Sequence, residues 1–290
     1  MTTLTAPLVA KPTTLWQALF QNRLSWIGIG LLVAIVLVAL FAPLIAPHDP
    51  LQQNIAYRLE PPSAEFWLGT DTYGRDVLSR LIYGTRVSLL VGFVAVLIAM
   101  VVGSALGVIA GYVGGITDRL ITGLVDVLLS FPTLLLGLMV AAMLGASLEN
   151  LIIAIAITEI APFVRIARAP TIALKQRDFV EAGRSLGYGP GRLMTVHILP
   201  NMISEVLVLG ALWMATAIRT EASLSFIGLG VPPPAPTWGS MIREGFENIL
   251  DAWWLTVFPS LAILLTVLAL SLLGDALRDA NDPKTRSERS

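Results

Sequence analysis

The chain has 290 residues, 55% apolar and only 13% charged, with a mean hydropathy of +0.76 and a formal net charge of −1. A soluble domain carries roughly 25% charged residues, so this composition defines an integral membrane protein, and the distribution of charge matters more than its sum. No cysteine is present, which excludes disulfides, thiolate zinc sites, iron–sulfur clusters and cysteine nucleophiles. The two histidines, His48 and His197, lie too far apart in sequence for a histidine-rich metal site.

Residues 1–24 hold Lys11 and Arg23 and no acid, ahead of an apolar run at about 26–46. A cleaved signal peptide would have an apolar core of roughly 7–15 residues ending at a small-residue cleavage site. Here the run is about twenty residues and ends in Ala42-Pro43-Leu44-Ile45-Ala46-Pro47. An uncleaved first span over 25–46 is expected, behind a cytoplasmic tail. Residues 47–85 are polar, with Pro47, Pro50, Pro61 and Pro62, and read as an extracytoplasmic segment.

A second span fits about 86–110, where Gly103, Gly107 and then Gly111 recur every four residues and would let a neighbouring helix approach closely. A short loop, Gly111 to Leu120, carries Asp118 and Arg119. The third span, about 121–144, contains Asp126 and is interrupted at Phe131-Pro132; the fourth, about 150–168, contains Glu159 and Pro162. A fifth span fits 202–220 and a sixth 255–274, with a proline-rich loop between them that ends in Trp253-Trp254, placed as an aromatic belt. Residues 275–290 form a polar tail. Apolar runs of about twenty residues reject a β-barrel, whose strands alternate over roughly ten.

Six spans place both termini on one side. Segments 1–24, 111–120, 165–200 and 275–290 hold thirteen of the nineteen Lys and Arg, whereas 47–85 and 221–254 carry nine acids against four bases. By the positive-inside rule the chain is N-in and C-in, with Glu181–Asn201 in the cytoplasm.

No Walker A pattern is present: the lysines are Lys11, Lys175 and Lys284, and none follows a glycine-rich loop. Gly187, Gly189 and Gly191 have the wrong spacing for a phosphate loop and no strand before them. Neither a His-Glu-x-x-His helix nor a Gly-x-Ser-x-Gly elbow occurs, so no enzymatic activity is expected. Ionisable groups in spans are costly and face a cavity or a partner. Glu159 and Asp126 are therefore candidates for a translocation path; for Glu159 the structural alternative is a hydrogen bond between helices or to backbone freed by Pro162. The absence of a carboxylate chain argues against a proton-coupled carrier.

Glu181–Asn201 is a polar, glycine-broken island between apolar runs. A helix-forming opening, Phe179 to Leu186, meets Gly187/Gly189/Pro190/Gly191, and an amphipathic run from Arg192 to Leu199 is expected to stop at Pro200. The residues alone leave two uses open. Its helices rest on lipid headgroups, or a short helix is presented to a cytosolic partner.

The order Glu-Ala-(small)-x3-Gly, followed after about nine residues by a Leu-Pro ending, resembles the EAA loop of binding-protein-dependent ABC importer permeases, here within 170–201. Glu181, Ala182, Gly183, Gly187, Leu199 and Pro200 match, with Gly183 in place of the commoner alanine and His197 where an apolar residue is usual. Further segments resemble the peptide/nickel subfamily, the dipeptide and oligopeptide permease C subunit. They are Leu68 to Arg80, Asp126 to Pro132, Leu224 to Gly230 with Pro232-Pro233 and Trp238-Gly239, and Leu273 to Pro283. The likeness covers about 15–285.

The resemblance implies an all-α, six-span protein with the type I (MetI-like) importer fold, a permease domain over 86–274 preceded by one extra helix. It implies a homologous permease subunit as heterodimer partner, two cytoplasmic ATPase subunits that bind ATP and Mg, and an extracytoplasmic solute-binding protein in a bacterial inner membrane. It implies no cofactor or metal in this chain and no nucleic acid. Coupling would run through the EAA residues: Glu181 anchoring the docked helix, Gly187 permitting the turn, Pro200 fixing the exit. The expected cargo is di- or oligopeptide, with nickel chelate, opine, glutathione-like peptide or oligosaccharide as alternatives.

Overall fold

The computed structural model describes residues 23–281. The expectations for the outer parts of both tails, including Lys11, Pro283 and Lys284, lie outside the described residues. Regular structure among the described residues is helical, apart from one isolated bridge between Thr70 and Asp76.

Helix α1 (Arg23–Leu40) is apolar beyond Arg23 and Ser25 and runs on into a single turn, Ala42–Ile45. Helix α2 (Val77–Val113) opens well before the expected 86, because Asp76 caps it. The Asp76 carboxylate accepts from the Ser79 backbone N–H at 2.9 Å and from Ser79 Oγ at 2.6 Å. Only Gly114 separates α2 from α3 (Gly115–Ser130), so the expected loop at 111–120 is helical on both sides of one residue. Helices α3 and α4 (Thr133–Leu144) meet at 97°. Proline drives the residue before it out of the helical region, and Phe131 accordingly has ψ 140.

Helix α5 (Leu148–Leu174) contains both Pro162 and Pro170. Then come the short α6 (Asp178–Ser185), the long α7 (Pro190–Ile227), α8 (Trp238–Glu247) within the expected proline-rich loop, and α9 (Trp254–Asn281). Helices α2, α5, α7 and α9 are each long and apolar enough to cross a membrane, the bent α3–α4 pair adds a fifth when counted as one broken span, and α1 is a shorter apolar helix. Six crossings fit this inventory.

The glycine stripe read from the sequence is the seam between α2 and α5. Gly103 backs onto Phe163, Gly107 onto Ala167 and Gly111 onto Thr171, so the two helices run parallel. A Cβ on Gly107 would stand 2.7 Å from that of Ala167. Within lipid, helices associate by van der Waals packing, and a bare backbone lets them come closest. Helix α7 packs antiparallel on α2, with Gly92 against Ile218 and Met100 against Gly210. Val91, Ala95, Ile155, Phe163, Ala217 and Leu224 are fully buried in the resulting core. Helix α9 packs on α7 (Gly274 against Leu212), and α1 packs on α9 (Gly28 against Leu272).

At the end where α2 begins, residues 47–76 and α8 form a polar cap. Trp254, expected beside Trp253 in an interfacial belt, is instead 3% exposed and donates its indole N–H to the Thr70 carbonyl at 3.1 Å, while Trp253 is 52% exposed. Aromatic identity alone did not separate the belt residue from the one pinning the cap.

Candidate functional site

The end of the bundle opposite this cap carries α6. Its Asp178 and Glu181 in the first turn and Arg184 in the last complement the helix dipole. Eight residues are too few to hold a helix in water unaided; packing does it here. Val180 and Gly183 face inward and are buried. Glu181, Ala182, Arg184, Ser185 and Leu186 are exposed on the other face.

The helix ends in a Schellman motif. The Tyr188 N–H donates to the Gly183 carbonyl and the Gly187 N–H to the Arg184 carbonyl, each at 3.0 Å. Gly187 has φ +81, the left-handed conformation this motif requires, whereas Gly189 sits at φ −67, open to any residue. Tyr188 fills the space beside Gly183. Its ring lies 5.5 Å from that of His197 and under the Arg192 guanidinium at 4.1 Å. Sequence reading passed over Tyr188; its position directly after the αL glycine was the available signal.

The run from Arg192 to Leu199 does not end at Pro200. It is the start of α7, which passes through the proline to Ile227. A proline ring clashes with the carbonyl four residues back, here Val196, and Leu193–Ile198 is wound as a wider π-helix that relieves the clash. The Asn201 side-chain amide donates to the His197 carbonyl at 2.6 Å. Leu193, Ile198 and Met202 are buried with Val180 in the main core, and Leu199 packs against them. The six residues Glu181, Ala182, Gly183, Gly187, Leu199 and Pro200 therefore belong to one knot that joins α6 to α7.

Glu159 and Asp126 are not brought together. Glu159 is fully buried in α5, and among the described residues neither carboxylate oxygen has a hydrogen-bond partner, so the anticipated bond to a helix or to freed backbone is not formed. Asp126 is exposed on α3 and pairs with Arg165 at 2.7 Å; about two turns earlier on α3, Asp118 pairs with Arg168 at 2.5 Å. These two pairs tie α3 to α5. Arg219 is exposed and donates to Thr216 Oγ1 at 3.1 Å. Glu221, expected at the start of a loop, is instead fully buried in α7 and accepts from Ser225 Oγ at 2.7 Å. Its partner one turn on was the legible sign of helix.

The cap holds a second charged cluster. Arg75 Nε lies 2.6 Å and Arg80 Nε 3.1 Å from Asp71 Oδ2, and both guanidinium groups approach Glu244 of α8. Thr72 also donates its hydroxyl to Glu244. Asp71, Arg75, Asp76 and Arg80 thus hold the cap on the bundle.

A bundle of apolar crossings, closed by a salt-bridged cap at one end and displaying one short polar helix at the other, defines a multi-pass membrane protein. The chain matches the family described as binding-protein-dependent transport system inner membrane component over residues 103–287, and the N-terminal TM domain of oligopeptide transport permease C over residues 13–62. It belongs to the binding-protein-dependent transport system inner membrane component family. Among curated relatives, it is 43% identical over 290 residues to the di/tripeptide transport system permease protein DppC of Pseudomonas aeruginosa, covering 97% of this chain and 96% of that one. It is 42% identical over 272 residues to the dipeptide transport system permease protein DppC of Alkalihalophilus pseudofirmus, covering 94% and 90%. It is also 42% identical to the glutathione transport system permease protein GsiD of Pectobacterium atrosepticum, covering 94% and 91%. The fold is similar to a chain of the inward-facing MetNI methionine ABC transporter, with a TM-score of 0.55 at 19% identity over 70% of this chain and 97% of that one.

Proposed function

We propose that this chain is a membrane subunit of an ATP-driven importer of di- and oligopeptides, and that α6 is the surface through which an ATPase moves it. The observation that carries the reading is the build of α6: one exposed polar face, with the other locked into the core by Val180, Gly183 and the Schellman turn. A helix so fixed cannot tilt without carrying α5 and α7 with it. The dipeptide and tripeptide permeases among the relatives support the cargo class.

Two ATPase subunits, which bind ATP and Mg, close on nucleotide and carry α6 with them; the spans rotate and open outward, and hydrolysis returns them. Glu181 anchors the docked helix by polar contact. A homologous permease subunit completes the pore, and the exposed Ile116, Leu120, Leu124 and Met143 of the bent α3–α4 pair suit such a neighbour or lipid. An extracytoplasmic solute-binding protein delivers cargo. The charge asymmetry supports N-in and C-in, with α6 in the cytoplasm of a bacterial cell. Asp126, beside a cavity of about 330 Å³, and Glu159, inside the bundle, are the ionisable groups proposed for the path. The GsiD relative supports a second cargo, glutathione, itself a tripeptide.

Because the chain has no cysteine, Glu181→Cys gives a single thiol for cross-linking to a cysteine-bearing ATPase. A cross-link whose yield changes between ATP-bound and nucleotide-free importer is expected. Peptide uptake with no ATPase cross-link from any exposed α6 position would refute the coupling role.

A further inference from the structure

At the capped end of the bundle, the turn after α4, the proline-rich loop and α8 enclose a cavity of about 710 Å³. Its charged wall comprises Arg75, Arg80, Arg243, Glu244 and Glu247, and Val231 with Pro232–Pro234 supplies the apolar wall. Arg80 lines the cavity but is only 4% exposed, and its Nη1, which has no hydrogen-bond partner among the described residues, lies beneath the wall with almost no accessible surface of its own. Arg75, by contrast, is fully engaged: Nε on Asp71, Nη2 at 3.5 Å from Glu244, and the guanidinium 4.6 Å from the Tyr73 ring centre. Nearer solvent, Arg243 and Glu247 are half-exposed and 3.5 Å apart. The Arg243 guanidinium lies across Gly228, where any Cβ would collide with it.

A buried arginine with an idle donor is costly unless something accepts from it. Guanidinium forks match carboxylates two bonds at a time. Glu244 and Glu247, on the same wall, offer oxygens to an ammonium. The wall carries three guanidiniums against two carboxylates, and the buried Asp71 behind it, 2.6 Å from Arg75 and 3.1 Å from Arg80, brings the signs level, so the cavity suits a ligand that is itself neutral but carries both charges. A short peptide with free termini is such a ligand. An extended tripeptide spans about 10 Å, and small-ligand pockets run roughly 300–1,000 Å³.

We propose that this cavity receives the peptide in transit, its carboxylate on Arg80 and its ammonium toward Glu247. The proposal rests on the peptide-import reading and extends it: this chain, and not only the binding protein, reads the free termini.

The test uses the complete importer with its binding protein in proteoliposomes. Ala146, in the exposed turn that lines the cavity, is replaced by a benzoyl-phenylalanine cross-linker, and a radiolabelled tripeptide is supplied during ATP turnover. Label on this chain, competed by excess free tripeptide and much weaker with Arg243→Gln/Glu247→Gln, is expected. Arg80→Lys, which keeps the charge and loses the planar guanidinium, should raise the transport KM about tenfold. Peptide uptake without label here, or cross-linking only to the binding protein, would overturn this proposal alone. Absence of peptide uptake by the unmodified importer would overturn the peptide reading and this proposal together.

Discussion

Trp254 at the start of α9 donates its indole N–H to the backbone of Thr70, 184 residues away in sequence, at 3.1 Å. The neighbouring Gly69 leaves no room for a side chain, since a Cβ there would lie 2.7 Å from Trp254 Nε1. This bond helps fasten the cap to the last crossing, beside the packing of Met241, Leu59 and Leu68 in the Trp254–Leu255 cluster. Trp254→Phe keeps most of the packing and loses the donor, at about 1 kcal/mol. Trp254→Ala also opens a cavity and should cost about 3–5 kcal/mol. Thermal unfolding of the detergent-purified complex should rank wild type above Phe above Ala; equal midpoints would contradict the account.

The seam between α2 and α5 gives a prediction that depends on size and not on polarity. Gly107→Ala must displace Ala167 and the Val164 backbone, and Gly107→Leu cannot be accommodated without parting the helices. Overpacking of this kind costs about 1–3 kcal/mol or more. Alanine should lower the yield of folded protein and leucine should abolish it. The same pair at Gly30, where no atom lies within 4 Å of the added Cβ, is the control and should express normally.

Gly187 tests conformation in isolation, because nothing stands near its missing side chain yet φ is +81. Gly187→Val places a β-branched residue in the left-handed region, at a cost of about 1–3 kcal/mol. Membrane insertion should be preserved, while ATPase co-purification and uptake are lost. Gly189→Val, at ordinary φ and in open space, should transport normally. Loss of uptake in both would mean that the turn tolerates no bulk for reasons other than its conformation.

Glu159 makes stability and transport part company. A buried carboxylate without a hydrogen bond is a burden on the fold, and well-packed apolar replacements of such groups are often neutral or stabilising by about 1–4 kcal/mol. Glu159→Leu should therefore unfold at a higher temperature than wild type. If Glu159 belongs to the path, the same variant should lose uptake. A stabilised variant with full transport would remove Glu159 from the path, and a destabilised one would contradict the burial argument.

The six crossings were legible because hydropathy runs of about twenty residues and the Lys/Arg bias are properties of composition in windows. The 97° break was legible because Pro132 acts on its own neighbour, and the glycine seam because its spacing matches a helix turn. What escaped was in part local and in part a matter of contacts between distant segments. The early start of α2 required Asp76 and Ser79 to be seen as a cap, and the burial of Trp254 required Thr70. Pro200 misled because its clash depends on how the preceding turn is wound, and a π-helical segment has no sequence signature as plain as a proline. Of the site, the turn at Gly187 was readable from local residue types; Tyr188 and Glu221 carried local signals that went unread, and the Asp71–Arg75–Arg80–Glu244 cluster acquires its role only once the chain is folded.

Helices α2 and α5 touch backbone to backbone from Gly103 to Gly111, about two turns, with no long side chains at those glycines to act as a cushion. Such a pair behaves as one beam. At about 1.5 Å per residue, α2 alone is roughly 55 Å long, so a tilt of about 5° around its middle would swing each end by roughly 2.4 Å. The glycines thus set the gearing: a displacement delivered at one end of α2 is carried toward the other, where Arg80 in its first turn shares Asp71 and Glu244 with Arg75 in the cap.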